Sequence, residues 1–222
     1  IHLWIPWHWA GEVAPAQTDI WFSNYQKTIM PLIDMAREEN VETIFAGTEL
    51  RGVENAPQWP AFINAIRARY HGHVVYDTDS LEQAEKFQYW SLFDTVSTSL
   101  YTALPDNKAA RLAVMNDNAT RLHTLGQKWQ RPVWVGELGI RSARGSLQQP
   151  WLSPEQIKLP VDLAVQKMAL TEWRNSLAEH GVSGISIWCW YTDPHDGGPD
   201  NSDFTIQHKP ALSVLSRPPL RF

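Results

Sequence analysis

The sequence is short of cysteine, of clustered basic charge and of long apolar runs. Its single cysteine, Cys189, excludes an intramolecular disulfide. Large enzymes of either redox compartment do without disulfides, so the localisation stays open. Lys and Arg number 19 against 24 Asp and Glu, and neither sign gathers into a run. A clustered basic patch is the footprint of a nucleic-acid or anionic-membrane partner, and its absence argues against both. No stretch approaches the roughly 20 apolar residues of a membrane-spanning helix. No glycine-rich turn follows a strand-like segment, which removes the main pointer to a nucleotide-binding fold.

Tryptophan is abundant instead: there are 12, with 6 Tyr and 7 Phe. Side chains of this size are mostly core. Trp4, Trp7, Trp9, Trp188 and Trp190, however, fall near predicted strand ends. Flat apolar faces there suit the C–H faces of sugars.

At 222 residues the chain can bury a full core, and it reads as one domain, 1–222. Residues 1–9 read as a strand interrupted at Pro6. Asp19 is the expected cap of a helix over 20–39, with Phe22, Tyr25, Ile29, Leu32, Ile33 and Ala36 at helical spacing. Strand-like runs follow at 43–50, 73–77, 94–101, 132–138 and 182–190. Helical runs at 60–70, 80–90 (capped by Ser80), 107–128 and 161–180 separate them, and a short helix over 210–215 closes the chain. Strict alternation predicts a parallel sheet with right-handed crossovers, and the repeat suits a (β/α)8 TIM barrel. A complete barrel has eight strands in about 250 residues. Six strands predict an incomplete barrel that lacks the first two β/α units.

Two strands end in a carboxylate. Thr43-Ile-Phe-Ala-Gly-Thr-Glu-Leu50 climbs to Glu49, and Pro132-Val-Trp-Val-Gly-Glu-Leu138 climbs to Glu137. A carboxylate at the end of an apolar strand is well placed for a site at the mouth of a parallel barrel. Hydrolysis of a glycosidic bond needs one carboxyl to donate a proton and one carboxylate to attack or activate water. Alternation in Gly184-Ile-Ser-Ile-Trp-Cys-Trp190 puts Trp188 and Trp190 on one face and Cys189 on the other, a core position facing helices.

Four strings in this order carry a family resemblance: Trp21-Phe-Ser-Asn-Tyr25, Phe45-Ala-Gly-Thr-Glu-Leu50, Val135-Gly-Glu-Leu-Gly139 and Ile187-Trp-Cys-Trp190. The chain resembles glycoside hydrolase family 113, (β/α)8 retaining enzymes of the β-mannanase type. The tail Asp203-Phe-Thr-Ile-Gln-His-Lys-Pro-Ala211 is similar to the family's closing segment. The resemblance implies Glu49 as acid/base and Glu137 as nucleophile, and makes the first strand here the family's third. It implies that Tyr101 hydrogen-bonds the nucleophile and that Trp188 or Trp190 lies under the sugar being cleaved. Thr48 stands where many relatives place an asparagine before the acid/base. The implied partner is a β-linked, mannan-like carbohydrate, with no cofactor. The alternative is a non-catalytic carbohydrate-binding protein that keeps the aromatic cleft.

Other candidates point less sharply. His8 and Asp77, with His2, His71 and His73, invite a metal reading, but their spacing matches no metal motif. His8 and Asp77 read instead as cleft residues that bind hydroxyls. Ser97 and Ser99 have no His–Asp arrangement to activate them. Asp193, Asp196, Asp200 and Asp203 lack calcium-loop spacing and read as a solvated loop.

Overall fold

The structure, a computed structural model, describes residues 1–3 and 8–215. Among these, five helices and five strands follow one another. They are α1 (Thr18–Glu38), β1 (Thr43–Thr48), α2 (Trp59–Arg67), β2 (His73–Thr78), α3 (Leu81–Lys86), β3 (Thr95–Leu100), α4 (Lys108–Trp129), β4 (Val133–Leu138), α5 (Leu163–Glu179) and β5 (Gly184–Ile187). The sheet order is β1-β2-β3-β4-β5. β1 with β2, β2 with β3, and β4 with β5 pair in parallel. Strands laid down in chain order with a helix in every crossover make the β/α repeat of an incomplete (β/α)8 barrel.

Most predicted elements lie within a few residues of the observed ones, and the differences have local causes. The expected strand over 1–9 includes residues 4–7, which lie outside the described residues, as do the predicted platforms Trp4 and Trp7. Residues 1–3 have no regular structure, His8 makes a single bridge, and Ala10–Glu12 form a 3-10 turn. α1 starts at Thr18, ahead of the expected Asp19 cap, and its N-cap residue Gln17 makes no side-chain cap hydrogen bond. Asp19 sits in the first turn, and its carboxylate accepts a hydrogen bond from Gln58. Ser80 does cap α3, accepting from the Gln83 amide at 3.4 Å. That helix stops at Lys86 rather than 90, because Phe87 turns extended and stacks on Tyr76 at 4.9 Å.

Two compact units divide the chain. The first comprises Ile1–Thr98 with Lys128–Pro132, and the second Ser99–Gln127 with Val133–Phe222. The first has an aromatic core. Trp59 meets Phe22, Phe62, Tyr76, Phe87 and Phe93 edge-on within 6.2 Å. Its indole N–H is satisfied by the Val53 carbonyl at 3.0 Å. Much of the tryptophan excess is thus structural: Trp59, Trp90 and Trp173 are fully buried.

In the second unit α5 is capped by Asp162, which accepts from the Ala164 and Val165 amides. Its Arg111–Glu172 pair ties α4 to α5 with two hydrogen bonds, at 2.6 and 3.0 Å. This fork-on-carboxylate geometry is the strong form of a charged hydrogen bond.

Candidate active site

In the first unit the polar end of β1 is built around Glu49. The register of β1 on β2 shifts between Phe45 and Thr48, so Thr48 comes opposite Asp77. Gly47 makes this close approach possible: a Cβ there would come 2.8 Å from Leu50 and 3.3 Å from Tyr76. Glu49 then adopts φ 54, a left-handed conformation that few residues other than glycine adopt. Its amide donates to the Asp77 carbonyl at 2.8 Å, and the next amide, of Leu50, donates to the Tyr76 hydroxyl at 3.0 Å. Both peptide planes flanking Glu49 are therefore tied to β2.

The Glu49 side chain is only 8% exposed, and its Oε2 accepts the Trp9 indole N–H at 2.5 Å. The Arg51 guanidinium lies 4.9 Å from the centre of the Trp9 ring and pairs with Asp79. Behind them the Tyr76 hydroxyl donates to Glu54 Oε1 at 2.9 Å. Burial, opposed in part by that hydrogen bond, pushes the Glu54 carboxyl up to about 7.

Four further sequence candidates fall in this unit. Thr48 is buried at the end of β1. Asp77 is completely buried, and its Oδ1 accepts the Ser97 hydroxyl at 2.5 Å, within the sheet. His8 is exposed and its Nδ1 lies 3.0 Å from Glu12 Oε2. His73 is exposed at the start of β2, four residues before Asp77. Among the described residues no group of three or more His, Cys, Asp and Glu is placed to hold a metal ion.

In the second unit β4 carries Glu137, 9% exposed, at the same sequence position relative to its strand end as expected. The Tyr101 hydroxyl donates to Glu137 Oε2 at 3.1 Å. The ring of Tyr101 lies against Gly139, where a Cβ would come 2.7 Å from Tyr101 Cε1 and 3.1 Å from Phe204 Cδ1. Phe204 meets Tyr101 edge-on at 6.3 Å. Gln166 of α5 fastens this corner, donating to the carbonyls of Ile140 and Phe204 at 2.9 Å each.

β5 ends at Ile187, short of the predicted 190. The Trp188 amide still donates to the Leu138 carbonyl at 3.0 Å, but Tyr191 leaves the sheet. Gln207 captures it, accepting from the Tyr191 amide at 2.6 Å and donating to its carbonyl at 3.1 Å. Trp188 and Trp190 are exposed, at 38% and 60%. Cys189 departs from the expected helix-facing core position. Period-two alternation ends with the strand, and the half-buried thiol instead meets the Tyr191 hydroxyl. Burial raises its pKa, so the thiol stays protonated.

Asp203, expected in a solvated loop, is held by neighbouring groups, and Lys209 and Arg141, which the sequence did not single out, fasten the same segment. Asp203 accepts the Tyr191 hydroxyl at 2.6 Å and the Phe204 amide at 2.7 Å. Buried Lys209 donates to Ser142 Oγ, Asn201 Oδ1 and the Asp203 carbonyl, all within 2.9 Å. Burial pulls its ammonium down to about 8. Arg141, also buried, is held by the carbonyls of Ser202, Leu152 and Ile157 at 3.0 to 3.3 Å. The sequence marks Trp9 only as an apolar face, not as a donor to Glu49, and it does not single out Arg51, Glu54 or Lys209; of these three only Arg51 carried a signal, a cation two residues past Glu49.

Residues 8–209 match the sequence profile of Glycoside Hydrolase Family 113. Among solved structures the chain is similar to a family 113 β-mannanase from Alicyclobacillus acidocaldarius, in complex with ManMIm. The TM-score is 0.79 at 21% identity, covering 94% of this chain and 67% of that one. A second family 113 β-1,4-mannanase, also solved as a complex, matches with TM-score 0.79 and 22% identity, covering 94% of this chain and 68% of that one. Fungal β-1,4-galactanases share the fold more distantly, with TM-score 0.56 at 16% identity over 91% of this chain and 70% of theirs. No curated protein matches the sequence.

Proposed function

This chain belongs to glycoside hydrolase family 113 and is a glycoside hydrolase, and from that premise we propose that it cleaves β-linked, mannan-like hexose chains with retention of configuration. Glu137 is the nucleophile: it attacks the anomeric carbon and forms a glycosyl-enzyme. Glu49 is the acid/base: it protonates the leaving sugar oxygen and then takes a proton from the water that releases the product. Tyr101 holds the attacking carboxylate in orientation. Trp188 and Trp190 offer the sugar apolar faces, and Thr48 and the exposed His8 supply polar groups near it. The wholly buried Asp77, expected as a cleft residue, instead holds the Glu49 amide through its carbonyl.

One observation carries this reading. Each glutamate ends a parallel strand, is almost wholly withdrawn from solvent, and is met by a neutral aromatic donor. The donors are Trp9 for Glu49 and Tyr101 for Glu137. The mannan-like substrate draws on the solved relatives, which are named as β-mannanases.

The test is covalent trapping. A 2-deoxy-2-fluoro β-glycoside with a good leaving group slows breakdown of the glycosyl-enzyme, and mass spectrometry of the digest reads the labelled residue. Label on Glu137, lost in Glu137→Gln together with turnover of β-1,4-manno-oligosaccharides, is the expected result. Normal turnover by Glu137→Gln removes the assigned role. Binding of oligosaccharide with no turnover by the unaltered protein favours the carbohydrate-binding alternative.

A further inference from the structure

Glu54 is a buried carboxyl for which the cleavage scheme has no use. It is 2% exposed and closes the 3-10 turn Arg51–Val53 that follows Glu49. The nearby cation, Arg51, is already bound to Asp79. A buried acid without a close cation costs free energy that an apolar residue of similar size avoids. Its placement therefore calls for a reason other than packing.

The hydrogen bonds supply one. A tyrosine hydroxyl has one proton to give and lone pairs to receive. Because Tyr76 gives its proton to Glu54, its oxygen is turned to receive the Leu50 amide. That amide belongs to the same peptide unit as the Glu49 carbonyl, so its capture fixes ψ of Glu49. The Glu49 amide, held by the Asp77 carbonyl, fixes φ. The Tyr76 ring cannot drift, since it is fully buried, stacked on Phe87 and met edge-on by Trp59. We propose that Glu54 is a positioning residue for Glu49, acting through Tyr76 and the Leu50 amide. This rests on Glu49 being the acid/base.

The groups that face Glu54 are Tyr76, Asp79, Arg51 and Glu49. Its ionisation near pH 7 adds a negative charge beside Glu49 and Asp79 and strengthens its pull on the Tyr76 proton. The protonation state of Glu54 is therefore felt at the Leu50 amide, whether or not sugar is turned over.

Two readouts on the same protein test this. In an NMR titration the Leu50 amide shift follows a step near pH 7, which disappears in Glu54→Gln and in Tyr76→Phe. In kinetics on β-1,4-manno-oligosaccharides, Tyr76→Phe and Glu54→Leu lower kcat by about tenfold or more with KM within about twofold, a loss confined to the transition state. Glu54→Gln, which keeps an acceptor oxygen for Tyr76, restores most of kcat and removes the inflection near pH 7 from the rate profile. A Leu50 amide indifferent to pH around 7 overturns the proposal, as does unchanged kcat in Tyr76→Phe and Glu54→Leu. A purely structural role lowers the melting temperature of Glu54→Leu and leaves kcat intact. Failure of the underlying reading is separately visible: the unaltered protein then cleaves none of the oligosaccharides, and no catalytic positioning role remains, even where the amide step is present.

Discussion

The Trp9 indole N–H donates to Oε2 of Glu49 at 2.5 Å. An indole N–H is a donor only, so Oε2 is the accepting oxygen of this contact. Replacing Trp9 with Phe keeps most of the ring and deletes the donor. Hydrogen bonds to charged groups are worth about 1.5–3 kcal/mol. Steady-state kinetics should therefore show kcat/KM of Trp9→Phe lower by roughly one to two orders of magnitude. A variant within about twofold of the unaltered protein contradicts the role.

Tyr101 and Glu137 form the matching pair in the second unit. Tyr101→Phe removes only the hydroxyl. The expected result is a fall in kcat of about tenfold or more, from the same kind of lost hydrogen bond. KM should change little, because on the proposed assignment the contact orients Glu137 rather than the bound sugar.

Gly139 sets the approach of Tyr101 to that corner. In Gly139→Ala the new Cβ, 2.7 Å from Tyr101 Cε1, forces the ring or β4 to move. Overpacking of this kind costs about 1–3 kcal/mol. Urea unfolding should show that loss, and kcat should fall with it as the Tyr101–Glu137 bond lengthens.

Glu54 makes stability depend on pH in a defined direction. Its folded value of about 7 lies above the model-compound 4.5. Below pH 4.5 folded and unfolded chains both carry the proton, and there is no penalty. Between 4.5 and 7 the unfolded chain gives up its proton first, so stability falls as pH rises, and above 7 the loss is complete. The drop amounts to at most about 3.5 kcal/mol. Unfolding free energies from urea titrations at about pH 4.5 to 8 should fall for the unaltered protein by up to that amount more than for Glu54→Gln.

Two tryptophans of the second unit should behave in opposite ways. Trp173 is fully buried, and Trp173→Ala should cost about 3–5 kcal/mol. Trp190 is 60% exposed, and Trp190→Ala should change stability by no more than about 0.5 kcal/mol. On the proposed assignment its effect falls on sugar affinity, and the dissociation constant of a β-1,4-manno-oligosaccharide measured by titration calorimetry should rise.

Much of the architecture could be read from the chain because it rests on local periodicity. Strand-length apolar runs alternating with helical spacing mark β/α units wherever they occur, and the carboxylates of Glu49 and Glu137 at strand ends follow from counting residues. The departures came where a distant side chain overrode the local pattern. α3 stopped at Lys86 because the Phe87 ring was wanted in the aromatic core. β5 stopped at Ile187, with Gln207 taking both backbone groups of Tyr191 and Cys189 losing its expected face. Residues 4–7, part of the first expected strand, lie outside the described residues.

By itself, then, the sequence determined the β/α order, the strand-end glutamates and the family they belong to, since all three live in patterns a few residues long. Only the tertiary structure decided which neutral donors meet each carboxylate, why Glu49 holds a left-handed backbone, and that Glu54 stands behind it. Those depend on hydrogen bonds between residues remote in the chain, such as Trp9 to Glu49 and Tyr76 to Glu54. A hydrogen bond is sensitive to tenths of an ångström and to angle, and no periodicity in one segment encodes where another segment's proton will point.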